Sequence, residues 1–440
     1  MSKVISKNAE SANISQLSIT SNKTKKILDI ANGTTKLSYY ESILSESIKV
    51  TCSYVDTGNS VESDGKFKSV IEGLPLVGEE KVHLVMTDNI DNELNVTLYV
   101  NIISPMGQDT RKSLVALDLV SKEYIINEET CINERFDGKL SDHITKILTD
   151  KNYFGTKKNL DIEPTSNNCN FIGNNKKAAY TCTWLGKRSI PDTQGAQGNT
   201  AGYFFFETSK GFNFKSIDKL LSTKPVKSFI FNQTPDSRGE NIPAGYDGII
   251  LDYNIDNTIN VKSKLEIGAY STKIVTFDPF NCVYSVEFPK SEDTEKNLKL
   301  AGKNLPVFND EFPKKSTRTT YMLIDSGSLP TGNTKEQINK SKQTNFDSKN
   351  ILNQAIMRYN QLFTIKVSCT ISADFSLHAG DLIRVDNPEL SSDTSKDNSK
   401  EFGCIYMIAN LCHEITTSST FTKLDLVRDS YGKTGNSTKT

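Results

Sequence analysis

Two stretches far apart in the chain carry the same alternation of apolar and polar residues. One is SIKVTCSYVDTG, Ser47 to Gly58; the other is TIKVSCTISADFSLHAGDLIRVD, Thr364 to Asp386. Laid on one another, Ile48-Lys49-Val50-Thr51-Cys52-Ser53 matches Ile365-Lys366-Val367-Ser368-Cys369-Thr370. Leu76-Val77-Gly78-Glu79 then matches His378-Ala379-Gly380-Asp381. A period of two buries one face of a strand. Two copies at this separation predict a duplicated β-domain.

The pattern divides the chain. Residues 1–35 are polar and aperiodic, and read as a flexible N-terminal arm or a strand added to a neighbour. Residues 36–105 alternate strongly, with Val82, Leu84 and Met86, then Val96, Leu98, Val100 and Ile102, and predict a first β-barrel ending near Pro105. Residues 106–225 form an α+β middle domain. LVALDLV and KEYII read as strands, and Leu140, Ile144, Ile147 and Leu148 fall on one helix face. The stretch from Gly202 to Leu221 reads as strand, turn at Ser209-Lys210-Gly211, strand and short helix. Residues 226–346 are a mixed β region, broken at Asp278-Pro279 and carrying long polar loops. Residues 347–430 open with a helix whose N-cap is Asp347 and whose stripe is Ile351, Leu352, Ala355, Ile356, Tyr359 and Leu362. A second barrel follows, and 431–440 is a polar tail. The fold class is β-rich α+β: two similar antiparallel β-barrel domains with an inserted α+β middle region.

Charge narrows the partners. Lys and Arg number 52, Asp and Glu 53, leaving a net charge of −1 and no bulk field for nucleic acid or acidic membrane. Hydrophobic content of 36% suits several modest cores. There is no signal-peptide core and no apolar run of about 18 residues. Synthesis in a reducing cytosol is therefore expected, in keeping with eight scattered cysteines and no CxxC.

Candidate chemistry is sparse. Of four histidines, His143 reads as solvent-facing on its helix, and His83 as pointing away from the apolar face of its strand. His378 lies in a Leu-His-Ala-Gly turn. Cys404, Cys412 and His413 come nearest to a metal cluster, but their spacing matches no zinc pattern. No GxSxG, HExxH or Walker loop is present. Asp381 and Asp56 read as turn caps. No catalytic, cofactor or metal residues are assigned, and no enzyme activity or cofactor is expected.

Three stretches, KLSYYESILSESIKVTCSYVDTG (Lys36 to Gly58), GYFFFETSKGFNFKSID (Gly202 to Asp218), and LHAGDLIRVD with CIYMIANLCHEIT (Leu377 to Thr416), occur in this order along the chain. On them the chain resembles the central baseplate hub proteins of contractile-tailed bacteriophages, relatives of the hub part of VgrG spike proteins. It departs from that family in the polar insertions at 290–345 and 386–402, and in lacking an appended OB-fold and spike, which argues for a separate-chain hub. The resemblance implies tube-type barrels in a homotrimer. Such a trimer adapts a sixfold tail tube to a threefold central spike, contacts wedge or tape-measure proteins, and passes DNA without specific binding. The lumen is then expected to carry Asp, Glu, Ser, Asn and Thr rather than Lys or Arg. The location implied is the virion tail baseplate, assembled in the host cytoplasm. Two alternatives stand beside it. One is a tail-associated cell-wall hydrolase or peptidase, needing His378 or His413 beside a carboxylate or thiol in a cleft. The other is a carbohydrate- or receptor-binding module using the Gly/Gln-rich loop at 191–202.

Overall fold

The computed structural model describes residues 11–63, 65–192, 201–231, 245–256, 261–269, 271–279, 282–288, 298–302, 305, 318–324, 333–341, 345, 348–386 and 404–430. One thirteen-stranded sheet runs through them and curls into two barrels side by side.

The first barrel uses β1 (Asn13–Thr20), β2 (Thr34–Ser42), β3 (Lys49–Asp56), β4 (Lys81–Thr87), β5 (Glu93–Gln108) and β6 (Ser113–Val120). Their order is β1-β4-β5-β6-β3-β2, all neighbours antiparallel. Alternation places Val50, Cys52 and Tyr54 of β3 inside and Lys49 and Thr51 outside. β1 corrects the reading of 1–35 as a flexible arm. A bulge between Ile14 and Gln16 shifts the apolar phase, so Ile14 falls out of step with the buried Leu17 and Ile19. That slip hides the period in the sequence. The barrel also runs past its expected end at Pro105. Proline is compatible with a strand where its missing N–H faces no partner, and β6 completes the wall.

The middle region holds α1 (Lys122–Glu129), α2 (Leu140–Thr149), β7 (Leu160–Ile162), α3 (Ala178–Gly186), β8 (Tyr203–Thr208), β9 (Gly211–Ser216) and α4 (Ile217–Ser222). KEYII, read as a strand, is α1, with Ser121 at its N-cap; so short a run fits either period. The β8–β9 hairpin turns at Ser209 and Lys210. Gly211 has φ +128°, and a Cβ there would lie 2.1 Å from the Asn159 carbonyl oxygen.

The second barrel begins with β10 (Lys227–Ile230) and β11 (Gly248–Asp256). A separate sheet of β12 (Lys273–Asp278), β13 (Val283–Glu287) and β14 (Thr319–Leu323) intervenes, then α5 (Ser348–Leu362). The N-cap expected at Asp347 lies outside the described residues. α5 buries Ile351 and Ala355 among Phe205, Phe212 and Leu185 of the middle region. The barrel is completed by β15 (Ile365–Ser372), β16 (Leu382–Asp386), β17 (Cys404–Thr416) and β18 (Thr420–Arg428). Its order, β10-β16-β17-β18-β15-β11, closes through β11 on β10.

Strand for strand the two orders coincide. Even the bulges correspond: Thr34/Lys36 in β2 with Ile250/Asp252 in β11, and Val100/Ile102 in β5 with Ile408/Asn410 in β17. The ladders place Lys49 on Lys366, as in the sequence alignment. The turn before β4 needs a one-residue correction. Val100 N donates to Glu80 O and Ile408 N to Asp381 O, so Glu80 matches Asp381, and Glu79 rather than Gly78 matches Gly380. The barrels differ at one position. β1 is antiparallel to β4, whereas β10 runs parallel to both neighbours. In the first barrel β1 and β2 make no ladder; a 3-10 turn at Ala31–Gly33 spans the gap, with Ile30 N donating to Leu17 O at 2.9 Å.

Candidate functional site: the seam between the barrels

The barrels meet where β2 pairs antiparallel with β17 over seven residue pairs, from Lys36 opposite Thr416 to Ser42 opposite Asn410. Leu37, Tyr39, Glu41 and Ile43 share the inward parity of β2, which puts a carboxylate among buried apolar residues. Such a group needs a full set of donors. Glu41 receives Tyr39 Oη and Ser209 N, each at 2.7 Å, and Ala379 N at 3.1 Å, and it lies 3.4 Å from His378 Nδ1. Burial alone raises its carboxyl, but the bonds from His378 and Tyr39 and the His378 charge hold it below the usual range. One side chain thus joins the first barrel (β2), the second (the 378–380 turn) and the β8–β9 hairpin.

Two further aspartates repeat the device. Asp88, after β4, accepts Ile90 N and Asn92 N from its own hairpin and Phe375 N from the second barrel at 2.9 Å. Asp374 is buried beside Lys227 and accepts Ser376 Oγ at 2.6 Å. Beside the seam, a cleft of 310 Å³ is lined by Ile48, Lys158 and Glu207, and one of 480 Å³ by Asn92, Lys210 and His378.

His378 therefore does line a cleft beside a carboxylate, as the hydrolase alternative requires. Ser209 Oγ and Glu41 Oε1, however, both face the same ring nitrogen, Nδ1, each at 3.4 Å. A nucleophilic relay needs serine and acid on opposite nitrogens. Glu41 is moreover held by structural donors. Cys412 and His413 are neighbours on β17 and face opposite sides of it. Among the described residues no three His, Cys, Asp or Glu side chains converge on a metal position. His143, read as solvent-facing, is buried, with Nε2 2.8 Å from the Cys169 carbonyl oxygen and its ring edge-on to Phe136 and Phe171. The helix turns one face to a core denser than its sequence announced. Residues 193–200 of the Gly/Gln-rich loop lie outside the described residues.

His413 carries a pH prediction. It is fully buried, stacked on Tyr39 and edge-on to Phe375, with Nδ1 2.9 Å from Thr422 Oγ1. Desolvation lowers it to about 4, against the pull of Glu41 and Asp374, with His378 adding to the lowering. The unfolded chain takes up a proton near 6.5 that the folded chain refuses until about 4. Stability is expected to fall by roughly 3 kcal/mol as pH drops through that window. In urea titrations from pH 7 to 4, His413→Phe should lose that part of the slope.

No protein-family model matches the chain, and comparison with curated proteins by sequence finds no match. Solved structures do match. The 43 kDa tail protein of prophage MuSo2 from Shewanella oneidensis aligns over 94% of this chain and 98% of its own, with TM-score 0.51 and 10% identity. The tail protein of Neisseria meningitidis MC58 aligns over 94% and 96%, with TM-score 0.50 and 10% identity. The chain has the fold of these tail proteins. At such low identity the shared property is the architecture, which the similarity follows from end to end. No helix among the described residues is long and apolar enough to cross a membrane.

The side chains that matter most here, Glu41, Asp88 and Asp374, do not stand out in the sequence. Parity was the available signal for Glu41, which sits in step with Leu37, Tyr39 and Ile43.

Proposed function

We propose that the protein is a structural phage tail component: a homotrimeric baseplate hub that adapts a sixfold tail tube to a threefold central spike and lets DNA pass during injection. The observation that carries this reading is the pair of topologically equivalent barrels, fixed side by side by a β-ladder within one chain. Three such chains supply six equivalent barrels to one neighbour and threefold symmetry to another. The tail-protein fold supports it, and polar buried clusters with structural donors give no support to hydrolysis. The site of action is the virion baseplate, after assembly in the host cytoplasm.

Contacts with spike, wedge or tape-measure proteins fall to surfaces outside the barrels. The sheet β12–β14 offers one. Val275, Phe277, Tyr284, Val286, Tyr321 and Leu323 lie on one face in cross-strand rows, with Tyr284 71% and Tyr321 78% exposed. Contiguous exposed apolar side chains of this kind mark interaction sites.

Light scattering tests the assembly. The reading predicts a particle of three times the 48.9 kDa chain mass; a monomer at high concentration contradicts it. DNA should not be retained by the assembled ring at physiological salt, since a lumen poor in Lys and Arg releases few counterions.

A further inference from the structure

We propose that the two clefts beside the seam form one groove, and that it takes an extended acidic segment of a partner protein as a strand added to the open edge of β5. This site goes beyond the hub reading and is independent of how many copies assemble.

Backbone parity opens the edge. Val100 N donates to Glu80 O at 3.0 Å, so Val100 faces the β4 side. β4 and β5 stay in register from Glu93 to Tyr99. In an antiparallel ladder, successive residues turn their N–H and C=O to opposite edges. Leu94, Val96 and Leu98 therefore bond β4, while Asn95 and Thr97 present their backbone groups to the other side. β6 takes over that side only from Tyr99, opposite Val120, and the chain then leaves through Ser121 into α1. Among the described residues no strand pairs with Asn95 or Thr97 there. An open edge of this kind is a template for another strand.

Both clefts lie against this edge. The 310 Å³ cleft is lined by Asn95 to Leu98 in succession and the 480 Å³ cleft by Glu93 to Asn95. Ser209 and Lys210 of the β8–β9 turn line both, so edge and turn are two walls of one groove. Each cleft already has the volume of a ligand site, roughly 300–1,000 Å³. An extended segment binds such an edge through its main chain, and its side chains supply the selectivity. Charge sets the central side chain. Lys158, in the smaller cleft, is held between Glu123 and Glu207. Asp91 and Glu93 are confined to one end, in the larger cleft. Lys210 is exposed and common to both clefts. It makes no ion pair among the described residues and acts on Asp381 only through space. An Asp or Glu at the middle of the added strand gives Lys210 its partner.

The test is made on the full chain with a fluorescent peptide, Thr-Val-Asp-Val-Thr, capped at both ends and read by anisotropy. It should bind about tenfold more tightly than the same peptide with Lys for Asp, and Lys210→Glu should reverse that order with the thermal midpoint kept. N-methylation tests the strand geometry from the peptide's side. Methylating the two valines and methylating the aspartate should differ, one costing about tenfold and the other tolerated, because only alternate N–H groups face β5. Amide exchange needs no variant. In the free chain Asn95 and Thr97 should exchange fast while Val96 and Leu98 stay protected, and the peptide should slow the first pair. No binding by about 1 mM peptide, equal binding of the Asp and Lys peptides, or equal effects of the two methylations overturns the proposal. So does slow exchange at Asn95 and Thr97 in the chain alone that quickens on dilution, which makes a second copy the occupant. None of these outcomes changes the particle mass expected of the hub, which stands or falls separately.

Discussion

Arg358→Met is expected to destabilise the fold by roughly 3–5 kcal/mol, the usual cost of removing one partner from a buried ion pair. Arg358 sits on the inner stripe of α5 and is 2% exposed. Its guanidinium donates to Asp429 Oδ2 at 2.6 Å and Asp218 Oδ1 at 3.3 Å, and also to the Lys299 carbonyl. Burial works against the charge, but the two carboxylates outweigh it and keep the group protonated. Asp218 belongs to α4, and Asp429 follows β18. Methionine fills much of the volume but strands both carboxylates in a dry site. Urea unfolding reads the loss directly. Adding Asp218→Asn and Asp429→Asn should recover much of it, because the cost lies in the orphaned charges. A loss below about 1 kcal/mol in the single variant would show that water reaches the cluster.

Glu41→Ala is expected to cost a similar roughly 3–5 kcal/mol, through unpaired donors rather than lost apolar area. Ser209 N, Ala379 N and Tyr39 Oη lose their acceptor together. Because those donors come from three parts of the chain, the variant should also loosen the seam. Hydrogen exchange should rise at Ser209 and Ala379 while the amides of β15 and β18 stay protected. Glu41→Gln keeps two of the acceptor positions on one oxygen and should lose less. Since the Glu41 carboxyl is held low, its contribution is complete above its unfolded pKa and fades as pH falls towards the folded one. An Ala variant as stable as the parent would remove Glu41 from the account of the seam.

Ile48–Ser53 and Ile365–Thr370 showed the duplication because β3 and β15 are buried on one face and solvated on the other, the condition under which period two is visible. β1 does not show in the sequence because its bulge changes the phase. β10 and β11 read as part of the mixed region because the strands that close the second barrel stand more than a hundred residues before β15. No local pattern encodes such pairing. The sequence shows the turn at Gly380 but aligns it one residue off, since Glu79 takes a positive φ of 64° where the other barrel has glycine. The seam was invisible for a different reason. Glu41, Asp88 and Asp374 gain their meaning from partners up to several hundred residues away. Their chemistry is ordinary, and only the fold brings the donors to them.

Under the proposed function, two equivalent barrels per chain should build a ring. Electron-microscopy class averages of the purified full-length protein, viewed down the particle axis, test it most directly. Six barrel densities around an open lumen, related by threefold symmetry, are expected. Isolated two-barrel particles, or a twofold dimer without a lumen, would contradict it.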